Sequence, residues 1–186
     1  MGDKDLVVHL LTDSCSKVVA FARGSRGSNK FTFDILELVK VELASRSSGM
    51  PSVRGLIREK SFTTIQEDLD KLTICSLLVE AFDRLIPENT EPNPELYTSL
   101  TLGLSAIDQE HELKNLLRCC HLTIIGLLDS IGLGVSDNLR APSLKHLITL
   151  ISRIEDQLSG PLLSGEVLKN QIFGKLQLQR EQGSVY

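Results

Sequence analysis

The spacing of apolar residues changes near Ser61 from every second position to every third or fourth, and this change constrains the fold more than any other feature of the chain. Ahead of it the chain reads as strands. "DLVVHLLT" and "KVVAFA" are short, rich in Val and Leu, and bounded by polar turns. "KFTFDILELVKVEL" places Phe31, Phe33, Ile35, Val39, Val41 and Leu43 on one parity, and Thr32, Asp34, Lys40 and Glu42 on the other. That alternation describes a strand with one buried face. Leu36, Glu37 and Leu38 break the phase, which requires a bulge or bend of the kind that lets strands curve. "ASRSSGMPS" follows as a loop and "VRGLIRE" as a further short strand. A small antiparallel barrel or sheet is expected here.

Beyond Ser61, Ile65, Leu69, Leu72, Val79 and Ile86 form one stripe, with Leu78, Phe82 and Leu85 beside it. The spacing predicts a long helix over 64–86, begun by a capping box of Thr64 and Glu67. A joint follows in which three of the six prolines, Pro87, Pro92 and Pro94, fall within eight residues. Pro87 and Pro92 cannot continue a helix. Asn93, Pro94 and Glu95 then supply an N-cap, a first-turn proline and an acid at the positive end of the dipole. Further helices are expected over 94–107, over 110–131 with a stop at Gly132, over 142–158 with a stop at Gly160-Pro161, and from about Gly165. The fold class is therefore α+β, with a β region over 1–61 and a helical region over 62–186.

The net charge of −4 conceals an asymmetry. Residues 1–60 hold ten Lys and Arg against seven Asp and Glu, and the remainder is acidic. No apolar run approaches the roughly 20 residues that cross a bilayer, and the start lacks the basic and apolar regions of a signal peptide. A cytoplasmic protein is expected. Its cysteines, Cys15, Cys75, Cys119 and Cys120, include no CxxC pair. Cys119, Cys120 and His121 are helix neighbours about 100° apart and cannot converge on one ion.

Catalytic signatures are missing. There is no GxxxxGK[ST], no GxGxxG after a strand, no GxSxG and no HExxH. His9, His111, His121 and His146 are scattered, and Asp108, Glu110 and Glu112 read as a solvated first helical turn. A non-enzymatic protein is expected. "FARGSRGSNKF" is more informative, because Arg23, Arg26 and Lys30 stand among glycines and serines with no acid between them. Basic groups in a loop can track phosphates while nearby rings stack on bases. Arg54, Arg58 and Lys60 form a second basic set. Phe21, Phe31, Phe33 and Phe62 are either stacking rings or the filling of a small barrel.

In content and order these segments resemble the bacterial recombination-mediator family RecO. The resemblance rests on "LLTDSCSKVVAFARGSRGSNKF" followed by "LVEAFDRLIPENTEPNPELYTSL". The family's strand pair closes on an A-[RK]-G-[AS]-R turn, here Ala22-Arg23-Gly24-Ser25-Arg26. Its inter-helix loop corresponds to Leu85-Ile86-Pro87-Glu88 and Glu91-Pro92-Asn93-Pro94-Glu95-Leu96-Tyr97. "LKNLLRCCHLTIIGLLDSIGL" is similar to its next helix, and the likeness runs from about residue 2 to 133. The resemblance implies an OB-like N-terminal nucleic-acid-binding domain over 1–61 and a RecO-like helical domain over 62–186. The family's strand ahead of "GDKDLVVHLLT" is absent, so an incomplete barrel or a misassigned start is expected. "GLGVSDNLRAPSLKHL" lacks the four-cysteine module of many members, so no zinc and no other cofactor is expected.

The resemblance further implies a DNA repair and recombination mediator. Such a protein binds single- and double-stranded DNA, promotes annealing, contacts the acidic C-terminal tail of single-strand-binding protein, and works with RecR to help load RecA. Arg23, Arg26, Lys30, Arg54, Arg58 and Lys60 are the expected DNA face, and no membrane partner is expected. The alternative is a protein-interaction module that docks RecR or single-strand-binding protein without touching DNA.

Overall fold

A computed structural model describes residues 5–14, 16–23, 33–34, 36–45, 49–88 and 90–175. Of the residues singled out above, Cys15, Gly24, Ser25, Arg26, Lys30, Phe31, Thr32 and Ile35 lie outside the described residues. Four strands come first, β1 (Leu6–Thr12), β2 (Ser16–Ala22), β3 (Glu37–Ala44) and β4 (Ser52–Ser61). Helices α1 (Thr63–Glu67), α2 (Leu69–Leu85), α3 (Pro94–Gln109), α4 (Leu113–Ser130), α5 (Asp137–Arg140), α6 (Leu144–Leu158) and α7 (Leu163–Leu168) follow, and a π-helical turn spans Lys169–Phe173. None of the described helices is long and apolar enough to cross a membrane.

The sheet order is β1-β2-β4-β3. The pairs β1/β2 and β3/β4 are antiparallel, as their alternation predicts. The two pairs meet at a single parallel position, Phe21 opposite Ser52, where the Phe21 N–H donates to Pro51 O at 2.8 Å. The expected antiparallel barrel or sheet is corrected in one respect: the junction of the hairpins is parallel. Of the two expected forms the structure has the open sheet, because among the described residues β1 pairs with β2 alone and β3 with β4 alone. Closure would need hydrogen bonds between those two edge strands. The sheet nevertheless curls, since Leu6, Val8 and Leu10 of one edge and Val41 and Leu43 of the other pack on the same small cluster of Ala20, Ala22 and Val53. The phase break expected at Leu36–Leu38 has a local cause. Leu36 is buried with φ +68, so β3 begins only after it.

The main core lies in the helices. α2 buries Ile74, Leu77, Leu78, Ala81 and Phe82, and α4 buries Leu116, Cys120, Ile124, Leu127 and Leu128. α3 and α4 approach so closely that a Cβ on Gly103 would strike Thr123, and one on Gly126 would strike Ser99. The predicted helix 64–86 is broken at Asp68, whose extended backbone separates α1 from α2. The carboxylate of Asp68 caps α2 by accepting from the N–H groups of Asp70 and Lys71 at 2.8 and 3.1 Å. The capping box of Thr64 and Glu67 does not form. The Thr64 hydroxyl is taken instead by Asp108 at the end of α3, where it bonds the carboxylate at 2.8 Å and the carbonyl. Buried Lys71 completes that knot with Thr64 Oγ1 at 3.0 Å and Asp108 O at 2.9 Å.

The proline joint starts α3 as its sequence requires, with Asn93 Oδ1 accepting from the Glu95 N–H at 3.1 Å. It also fastens the sheet to the helices. Ser16, fully buried at the start of β2 with φ +52, donates to Glu91 O at 2.8 Å and accepts from the Asn93 N–H at 3.0 Å. Lys17 Nζ donates to Asp83 O at 2.5 Å and pairs with Asp83 Oδ1 at 2.9 Å. His9 Nδ1 lies 2.7 Å from the same carboxylate oxygen. Burial alone would raise the Asp83 carboxyl, but hydrogen bonds and charge from Lys17 and His9 outweigh it and hold the group below the usual carboxylate range.

Two predictions concern this joint. Ser16→Ala leaves the part-buried Glu91 carbonyl and Asn93 N–H without this partner, so chemical denaturation should show a loss of about 1 kcal/mol. Asp83 bears a depressed folded pKa, so its stabilisation is present above about pH 4 and is lost as pH falls through the folded value. Thermal melts should therefore fall more steeply with acid below about pH 4 for the wild type than for Asp83→Asn.

Candidate nucleic-acid interface

Of the six basic residues expected on the DNA face, four are described, and the structure divides them into two pairs. Arg23 directly follows β2, is exposed, and stands over the Phe21 ring at 5.8 Å from its centroid. Arg54 is exposed on β4. The ladder steps from Glu42 opposite Gly55 to Leu43 opposite Val53, so Arg54 is the extra residue of a bulge. Among the described residues Arg54 has no hydrogen-bond or ion-pair partner. The parallel register that sets Phe21 beside Ser52 runs Arg23 toward Arg54, at the same end of the sheet.

Arg58 and Lys60 lie further along β4, roughly 13–20 Å away at about 3.3 Å per residue. Both have partners within the chain. Arg58 Nε meets Glu37 Oε1 at 2.8 Å, and the Glu37 side chain is only 8% exposed. Lys60 Nζ sits 4.5 Å from the Phe62 ring centroid and donates to Ser105 Oγ on α3 at 3.1 Å. These two tie β4 to its neighbours. Phe62 is buried and Phe33 packs on the small sheet cluster, so among the described residues half-buried Phe21 is the ring beside an exposed basic group. Lys40, exposed on β3 opposite Ile57, is a further cation on this sheet that belongs to no sequence motif. Its parity with Glu42 marks it as solvent-facing but gives no hint of its neighbours.

The Cys119-Cys120-His121 run is dispersed by its helix. Cys120 points into the core beside Cys75, and burial foremost pushes both thiols up, Cys75 to about 12. His121 is buried, with Nε2 2.9 Å from Leu139 O, and burial lowers its pKa. Among the described residues no group of three His, Cys, Asp or Glu gathers to hold a metal.

An open, curled sheet presenting basic strand ends, fastened to a helical bundle by a capped proline joint, defines an α+β protein whose surface rather than a closed pocket carries its basic groups. Residues 66–135 match the family described as "Recombination protein O C terminal". The chain is 32% identical over 139 residues to DNA repair protein RecO of Anaeromyxobacter dehalogenans (strain 2CP-C), covering 71% of this chain and 52% of that protein. It is 27% identical over 114 residues to DNA repair protein RecO of Macrococcus caseolyticus, covering 61% and 45%. For DNA repair protein RecO of Cutibacterium acnes the identity is 30% over 113 residues, covering 59% and 46%. The chain is thus RecO-like, and it spans about half the length of the curated relatives it matches. The segment that matches the family holds α2, the joint, α3 and α4, which supply much of the main core.

Arg58→Ala should strip the buried Glu37 carboxylate of its guanidinium. A destabilisation of about 1–3 kcal/mol is expected, and a double-mutant cycle with Glu37→Gln should recover part of it.

Proposed function

We propose that the chain acts in DNA repair and recombination as a non-enzymatic, RecO-type mediator whose curled sheet grips DNA. The likeness to RecO proteins, centred on the 66–135 match, is the observation that carries this reading. On it, residues 1–61 form an OB-like gripping domain and residues 62–186 a helical docking body. Arg23 and Arg54 lead the contact with the phosphate backbone, and Arg26, Lys30, Arg58 and Lys60 complete the basic face. Neutralising phosphates releases counterions, so such binding weakens steeply with salt. Annealing of single strands, binding of duplex DNA, docking of RecR and of the acidic tail of single-strand-binding protein, and help in loading RecA are the activities this reading assigns.

One observation favours the second reading, a docking module that does not touch DNA. Arg58 and Lys60, half of the described basic set, are engaged inside the chain. Anisotropy titration of a labelled single-stranded oligonucleotide over a salt series separates the two. The mediator reading expects salt-sensitive binding. Arg23→Glu with Arg54→Glu should weaken it and flatten the slope of log K against log salt by about 0.7 per lost single-strand contact. Unchanged binding by that double variant removes these residues from the DNA face, and absence of binding at low salt favours the docking module.

A further inference from the structure

A cavity of about 970 Å³ lies between the sheet and helices α2 and α3. Its walls are largely apolar, with Val8, Leu10 and Val41 on the sheet side and Val79, Phe82 and Leu104 on the helix side. Among the described residues its charge is net acidic. Asp13, Asp34, Glu37, Glu59, Glu80 and Asp83 line it, with His9, Lys17 and Lys40. Glu37, Glu80 and Asp83 are paired with Arg58, Arg84 and Lys17, which leaves Asp13, Asp34 and Glu59 beside Lys40. Tyr97 on the same wall is pushed up by burial and then by Asp13 and Glu59, so the negative field reaches across the cavity. Such a lining repels phosphates and does not suit a nucleic acid.

Glu37 has an unmet hydrogen-bonding capacity in this wall. Its side chain is 8% exposed, and Oε1 is satisfied by Arg58. Oε2 is buried, and among the described residues it has no hydrogen-bond partner. A buried anionic oxygen without a donor is unfavourable, and a donor that reached it would form a charge-assisted bond in low dielectric.

We propose that this cavity docks a partner peptide carrying an arginine or lysine between apolar residues, with the cation on Glu37 Oε2 and the apolar side chains against Val8, Leu10 and Val41. Three features select this occupant. The acidic excess demands a cation, the apolar walls demand flanking hydrophobic groups, and the volume stands at the upper end of the roughly 300–1,000 Å³ that small ligands occupy. The proposal does not need the DNA-binding reading, although Glu37 is the partner of Arg58, one of the residues of the proposed DNA face.

Calorimetric titration of the full chain with acetyl-Leu-Arg-Leu-Arg-Leu-amide, with the same peptide bearing Gln for Arg, and with N-acetyl-arginine amide tests it. The Arg peptide should bind at least about tenfold more tightly than the Gln peptide. Glu37→Gln should erase that preference. Val8→Trp, which narrows the cavity and leaves Glu37 intact, should weaken the Arg peptide, while its oligonucleotide binding stays unchanged. Circular dichroism establishes that each variant is folded, and if Glu37→Gln is not, the peptide pair and Val8→Trp decide. No binding of the Arg peptide, equal binding of the Arg and Gln peptides, or indifference to Val8→Trp overturns the proposal. Arginine amide binding as tightly as the peptide overturns the assignment of a peptide.

Discussion

The hydroxyl of Ser16 bridges two parts of the chain that are 75 residues or more apart, giving its proton to Glu91 O and taking one from the Asn93 N–H. Most of the sheet's placement depends on that bond and on Lys17 and His9 closing on Asp83 beside it. The reason is size. The sheet's own cluster centres on Ala20, Ala22 and Val53, far too little apolar surface to hold four strands by itself. Its order is maintained by attachment to a helical core that is much larger, and the attachment is polar because the joint it meets is a loop whose backbone groups need partners. A left-handed residue at position 16 is the geometry that turns the hydroxyl toward the joint.

The same attachment sorts the charges. Arg23 and Arg54 leave the sheet at one end, one at the close of β2 and one from a bulge in β4. Carboxylates turn the other way, toward the space between sheet and helices. Arg58 and Lys60 lie between these zones and are drawn inward by Glu37, Phe62 and Ser105. A chain of net acidic charge can therefore keep a basic strand end and an acidic cavity rim within one small sheet.

The helical part obeys a different constraint. Gly103 and Gly126 let α3 and α4 come together against Thr123 and Ser99, and α2 lies across them with its apolar side chains buried. Lys71 at the end of this packing is buried yet satisfied, because Thr64 and Asp108 from two other helices supply its acceptors. A buried ammonium without them would be strongly unfavourable. The knot explains why Thr64 abandons its local cap. The hydroxyl has one proton to give, and the tertiary acceptors at Asp108 prevail over the chain's own first turn.

What the sequence by itself determined was local. The change of hydrophobic period marks where strands give way to helices, Asn93-Pro94 starts α3, and Gly132, with φ +78, stops α4. Each of these is decided by residues within one turn of one another. The capping box read at Thr64 and Glu67 does not form, because Asp108, more than forty residues on, takes the Thr64 hydroxyl, and Asp68 caps α2 instead. Tertiary structure alone decided that β2 meets β4 in parallel, and that Arg58 and Lys60 find partners within the chain while, among the described residues, Arg54 does not. Those outcomes depend on which backbone edges and which acids arrive beside a strand from distant positions. Spacing along a chain records the periodicity of its own elements, whereas a hydrogen bond or ion pair between elements belongs to both partners and exists only once they have packed.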